Sequence, residues 1–202
     1  MSKPAILFGF AASVTVAVVV AVRGTSGVED RASGDQQKRD EPNRSPLAVA
    51  VHSNGRLCAT ANFTAGTISF VDLKTGGILR EHRCGNGPAD VKWIDADRLI
   101  VSLLHDDAVA VVRFDRKTNA ASTVTRISVG DEPRGIALRD ARLAFVAVTN
   151  FDQVAVVDLK ANTVVRRLPV GGHPRTLAVS PDGGWLVTCC NVPGRVYVHD
   201  AR

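Results

Sequence analysis

An Asp closes a short hydrophobic segment four times in this chain: Asp72 after Phe70-Val71, Asp115 after Phe114, Asp158 after Val156-Val157, and Asp200 after Val198-His199. The spacings are 43, 43 and 42 residues, and a second ladder of Pro46, Pro88, Pro133 and Pro174 runs beside it at 42, 45 and 41. A fixed period of this length means that one supersecondary unit is copied along the chain. A single copy cannot bury its own apolar face, so the copies must stack.

Each unit reads as four strands. The first follows the ladder proline: Leu47–His52, Ala89–Ile94, Arg134–Leu138 and Arg175–Ser180. A turn comes next, clearest in Ser53-Asn54-Gly55 and Ser180-Pro181-Asp182-Gly183, where Asn-Gly and Asp-Gly are expected to supply the positive φ values of a tight hairpin. The second strand is almost continuously apolar (Leu57–Ala61, Leu99–Leu104, Leu143–Val148, Trp185–Cys190), and its end is marked by Asn62, His105, Asn150 and Asn191. The third strand ends at the Asp ladder. A more polar fourth strand ends at Gly85, Gly130 and Gly171.

Four antiparallel strands in about 43 residues match one blade of a β-propeller. Inner strands buried on both faces read as unbroken apolar runs, and strands two and three do so. The outermost strand tolerates charge and proline, as in Arg166-Arg167-Leu168-Pro169. Aromatic residues make up only 5% of the chain while valine and alanine abound, which suits β-branched strands. The expected fold is therefore all-β, with repeats at about 46–87, 88–132, 133–173 and 174–202. That gives three complete blades and a fourth lacking its outermost strand.

Residues 1–23 have a different character. Lys3 precedes an uncharged run from Pro4 to Val22 that Arg23 ends, long for a signal peptide and just long enough to span a bilayer. Cleaved signal peptide and retained N-terminal anchor both remain open, and both imply export to the periplasm, the cell surface or the medium. Residues 24–45 carry almost no aliphatic side chains and read as a polar, disordered tether.

Export would put Cys58, Cys84, Cys189 and Cys190 in an oxidising compartment. Adjacent Cys189 and Cys190 point to opposite faces of one strand, and no C-x-x-C or C-x-x-C-H occurs. Buried thiols acting as small hydrophobes are the default expectation. Of the net charge of +5, +4 falls in residues 47–202, spread over every repeat and not gathered on one stripe, which argues against nucleic-acid binding. Walker A, dinucleotide, Gly-x-Ser-x-Gly and H-E-x-x-H patterns are missing, and no cofactor or metal is expected from this chain.

The motifs in register are Val129-Gly130-Asp131-Glu132-Pro133, Val148-Thr149-Asn150, Val156-Val157-Asp158, Val170-Gly171-Gly172-His173-Pro174 and Ser180-Pro181-Asp182-Gly183. Together they resemble the YVTN-type β-propeller repeats of exported and cell-surface proteins. The second repeat departs from the pattern, with Ile94-Asp95-Ala96-Asp97 in place of the Asp-Gly turn and His105 in place of the Asn. The resemblance implies a ring of more blades than this chain supplies. An open arc would leave two blade faces in water and forfeit on the order of 10 kcal/mol of burial, comparable to a domain's whole stability of about 5–15 kcal/mol. A fragment of a longer chain, a ring completed by a second copy, and an unusually small closed propeller all stay open, the first being favoured.

Propeller ligands usually bind at the central channel or on the face that carries the fourth-to-first and second-to-third strand loops. The candidate residues there are Arg134, Arg175, His173, Asp90, His105, Asp106, Asp107, Asn150, Asp152 and Asn191. Arg134 and Arg175 could fork onto a carboxylate or phosphate, or simply pair with neighbours such as Glu132 and Asp90. The recurring Asn is expected to cap its turn in a left-handed conformation, and the Asp ladder to bind loop backbone. The expected function is a non-catalytic binding module. Its partners would be further propeller blades (from a longer chain or a second copy), a protein or a small anionic ligand, with membrane contact only through residues 4–22 if uncleaved. The alternative is part of a lactonase-like or dehydrogenase-like propeller enzyme whose catalytic or cofactor residues lie outside this chain.

Overall fold

A computed structural model describes residues 43–202; the segment read as an export signal and most of the tether lie outside them. The first blade is β1 (Pro46–Val51), β2 (Leu57–Asn62), β3 (Thr67–Asp72) and β4 (Ile78–Arg83). The second is β5 (Pro88–Trp93), β6 (Arg98–Leu103), β7 (Ala108–Asp115) and β8 (Ala120–Ser128). The third is β9 (Pro133–Leu138), β10 (Leu143–Val148), β11 (Gln153–Asp158) and β12 (Thr163–Pro169), with one 3-10 turn at Thr149–Phe151. The fourth holds β13 (Pro174–Val179), β14 (Trp185–Cys190) and β15 (Arg195–Asp200). Within each sheet the spatial order is the chain order and every pairing is antiparallel. The chain is thus an all-β assembly of three four-stranded propeller blades and one three-stranded blade.

The core lies between blades because side chains alternate across each strand. In β2, Leu57, Ala59 and Ala61 face the second blade, where Leu99, Val101 and Leu103 of β6 meet them. Ile100 faces the other way, onto Ala144, Val146 and Val148 of β10. Phe145 and Ala147 then face Leu186 of β14. Phe70 and Phe114 stack at 4.0 Å between the first two blades. Among the described residues nothing covers the outer faces of the terminal blades. Leu47, Val49 and Val51 line a groove of about 670 Å³ on the first blade, and Trp185, Val196 and Val198 are exposed on the fourth.

Polar ties cross the same boundaries. His52 Nε2 donates to the Ala96 carbonyl at 3.0 Å while its Nδ1 accepts from Asn54 N–H, which fixes the tautomer. Trp93 Nε1 donates to the Ala50 carbonyl at 3.0 Å. Arginines of the outer strands reach back to the preceding blade, Arg126 to the Cys84 carbonyl at 2.8 Å and Arg167 to the Val129 carbonyl at 2.7 Å.

The Asp ladder binds loop backbone as expected. Asp72, Asp115, Asp158 and Asp200 each accept the N–H two residues on, from Lys74, Lys117, Lys160 and Arg202, at 2.8 to 2.9 Å. The hairpin expectation needs correction. Only the glycines Gly55 (φ 66°) and Gly183 (φ 68°) are left-handed, and each donates its N–H back to the residue three before it. Asn54 and Asp182 keep negative φ, so the turn needs one left-handed residue, not two.

Candidate functional site

Two loops of every blade meet on one face, and their backbones bind each other. The first residue of each second-to-third-strand loop donates to the residue before a ladder proline: Phe63 N–H to Ser45 at 3.0 Å, Leu104 to Gly87 at 2.9 Å, Thr149 to Glu132 at 3.2 Å and Asn191 to His173 at 3.1 Å. All four acceptors are left-handed, with φ of 44°, 63°, 53° and 57°. Only glycine adopts that conformation without strain, so the loop contact imposes it on the other three.

The residue after the ladder proline is equally distinctive. Pairing of the first strand with the second slips between Pro46 and Ala48, between Pro88 and Asp90, and between Pro174 and Thr176. The third blade slips at the same place, opposite Val146 and Val148. A bulge therefore opens every first strand, which re-aims the side chains there. Arg134 and Arg175 both lie in this bulge, on the neighbouring inner strands β9 and β13. The backbones approach so closely that a Cβ at Gly135 would meet the Arg175 carbonyl oxygen.

The Asn set is not a true ladder. Counted from the strand ends, Asn62 is the last residue of β2, Asn191 the first of its loop, and His105 and Asn150 the second. None of the four is left-handed. That conformation falls to the last loop residue, Gly66, Asp107, Asp152 and Gly194, whose carbonyls in the first three blades accept Cys84, Val129 and Val170 N–H. Asp107 and Asp152 thus hold backbone positions in addition to carrying charge.

Most of the candidate acids are already engaged. Asp90 pairs with Lys92 at 2.8 Å and accepts Ile136 N–H from the next blade at 2.8 Å. Asp106 accepts the N–H and side-chain amide of Asn86 at 3.0 and 2.7 Å and pairs with Arg126 at 3.1 Å. Burial opposes its ionisation, but these donors outweigh it and hold the carboxyl below the usual range. Asp152 accepts His173 N–H at 2.8 Å, and Asn150 donates to Asp131 at 3.1 Å. His105 packs edge-on against Phe63 at 5.4 Å and stays exposed, as does His173. These contacts are local, and they gather the candidates onto one face without joining them into one pocket.

Two cations stand out. Arg134 pairs with Glu132 at 3.2 Å, as one expectation held, yet its Nε is buried with no acceptor. Arg175 is exposed and forms no ion pair among the described residues. The described residues hold no cluster of three or more His, Cys, Asp or Glu arranged for a metal.

Two features escaped sequence reasoning. One is a pair of hydroxyl ties between blades, from Ser102 to the Arg134 carbonyl at 2.6 Å and from Thr149 to the Pro174 carbonyl at 3.2 Å. The other is a set of basic-edged grooves on the opposite face, one between Arg56, Lys74 and Arg116 and another between Arg98, Arg142 and Lys160. The recurrence of a cation two or so residues after each ladder Asp was the readable signal. Arg98, Arg116 and Arg142 are paired there with Asp95, Asp97 and Asp158.

The family model described as the cytochrome D1 heme domain matches residues 93–202. Among solved structures, Kuenenia stuttgartiensis hydrazine synthase superposes with a TM-score of 0.71 at 25% identity, covering 79% of this chain and 47% of that one. The β-propeller domain of Myceliophteria thermophila Cps50 (Swd1) superposes at 0.70 with 14% identity, covering 87% and 57%, and supports the fold alone. This chain thus spans about half the length of the structures it matches. No curated protein sequence matches it.

Proposed function

The chain belongs to the cytochrome D1 heme domain family, and from that premise we propose that it is an exported propeller recognition module whose channel face takes a small anionic ligand between Arg134 and Arg175. One observation carries the reading: Arg134 has a guanidinium nitrogen buried without an acceptor, and Arg175, exposed and without a carboxylate, stands in the equivalent bulge of the adjacent inner strand, whose backbone comes against Gly135. A carboxylate or phosphate would satisfy both through charge-assisted hydrogen bonds. The rigid blades hold the two side chains and the loops choose the ligand. Export rests on the run from Pro4 to Val22, and the YVTN-type register of the third and fourth repeats supports grouping the chain with exported propellers.

The test is calorimetric titration of the full-length protein with inorganic phosphate and with succinate. Binding of either, weakened by about 10-fold or more in Arg134→Ala and in Arg175→Ala, is the expected result, since a hydrogen bond to a charged group contributes roughly 1.5–3 kcal/mol. No binding, or binding indifferent to both variants, refutes the reading.

The family's name implies a heme. The described residues do not fit one: a macrocycle needs apolar walls and a shielded axial donor. Here the two channel-face imidazoles, His105 and His173, are both exposed and neither is shielded by apolar walls. The grooves described lie on the opposite face and on the first blade's outer face. The rival reading, part of a propeller enzyme whose catalytic or cofactor residues lie outside this chain, draws on the likeness to hydrazine synthase. Further repeats encoded downstream with a His/Glu/Arg cluster on the channel face, or a C-x-x-C-H segment, would favour it.

A further inference from the structure

We propose that the outer face of the first blade is a docking site for the outer face of the fourth blade of a second copy of this chain. The two faces are the two halves of one interface that the molecule already forms three times. In β6 and β10 the residues that face the preceding blade are buried there. The register-equivalent positions of β2 are Cys58, Thr60 and Asn62, which form the floor of the outer groove, Cys58 and Asn62 buried there, beside exposed Leu47 and Val49. On the fourth blade, Trp185 and Val198 occupy the positions through which earlier blades grip their successors, and both are half exposed. Head-to-tail contact between copies thus repeats the established blade-to-blade contact, whereas packing either face on itself would not.

The charged group on the first face, Arg44, is already paired with Glu81 at 3.0 Å. Asn62 accepts from Thr60 and donates to Thr67 and Ser69, so its donors and acceptors are satisfied within the blade. Docking would leave no orphaned amide. A contact of this kind joins unlike patches, so each copy must contribute one of each.

That asymmetry supplies the test. The full chain should sediment as a dimer or a longer head-to-tail assembly, and Val49→Glu and Val198→Glu should each reduce it to monomer. Both residues are exposed within one copy, so both variants should fold, as circular dichroism would check. Mixing the two variants restores one intact pair of faces and should restore dimers. Cys189, exposed on the fourth blade's outer face, should react with a maleimide at least 10-fold faster in Val49→Glu than in the wild type. Association through residues 4–22 would ignore both variants, and that result overturns the proposal. So does a monomeric wild type, a Cys189 shielded within a monomer by another segment of its own chain, or a dimer lost only in Val49→Glu, which would mean that the first blade pairs with itself.

Discussion

Asp90 Oδ2 accepts the backbone N–H of Ile136 at 2.8 Å, across the boundary between the second and third blades. Its other oxygen holds Lys92 and the N–H of Val91. One carboxylate therefore fastens two inner strands that are 46 residues apart in sequence.

Replacing Asp90 with Ala should leave Ile136 N–H without its partner and cost about 2 kcal/mol. For a chain of this size that is a fall in melting temperature of roughly 4–8 °C. Calorimetry checks it, and an unchanged melting temperature would show that the tie adds nothing.

Phe70 is fully buried and stacked on Phe114. Phe70→Ala removes one of the two largest fully buried side chains joining the first two blades and should cost about 3–5 kcal/mol. Phe70→Leu should cost distinctly less. Denaturant midpoints of the two variants give the comparison.

Gly135 has no room for a side chain because the Arg175 carbonyl oxygen occupies it. Gly135→Ala should force β9 from β13, destabilise by roughly 1–3 kcal/mol, and weaken anion binding by separating Arg134 from Arg175. Retained phosphate affinity in a stable Gly135→Ala protein would contradict that geometry.

Stability should fall in acid. Asp115, Asp158 and Asp200 lie below the usual carboxylate range chiefly because the N–H groups of Lys117, Ala161 and Arg202 bind the charged form. Asp182 does so chiefly through the Ser180 hydroxyl. A carboxyl depressed by folding stabilises fully above its unfolded value, about 3.9, and loses that contribution as pH falls through the lower folded value. Denaturant midpoints should begin to fall below about pH 6.5, where burial and the Arg80 charge keep His82 from taking the proton that it takes in the unfolded chain, and drop steeply below about pH 4. Asp158→Asn should lessen the drop, and a midpoint that rises on acidification would reverse the assignment.

The blades were legible because periodicity is a property of side-chain type, and Asp, Pro and apolar runs report it directly. The left-handed residue before each ladder proline was not. Ser45, Gly87, Glu132 and His173 share no chemistry, and their common conformation is imposed by a backbone bond from a loop some seventeen residues on. The Asn set misled for the converse reason: Asn62, Asn150 and Asn191 share a side chain but not a position. Among the candidate residues, Arg134 and Arg175 were found by their place after a proline. The bulge that aims them, and the carboxylate and hydroxyl ties from Asp90 and Ser102, depend on strands that only folding brings together.

Every described blade draws its strands from one uninterrupted stretch of chain, and no strand is lent from one blade to another. Coupling is then nearest-neighbour only, as in solenoids. A duplication or deletion of one period would leave each surviving sheet's hydrogen bonds intact and merely present a different pair of blade faces to each other. Such an architecture lets a lineage change its blade number by single genetic events, with the fit between blades as the quantity on which selection then acts.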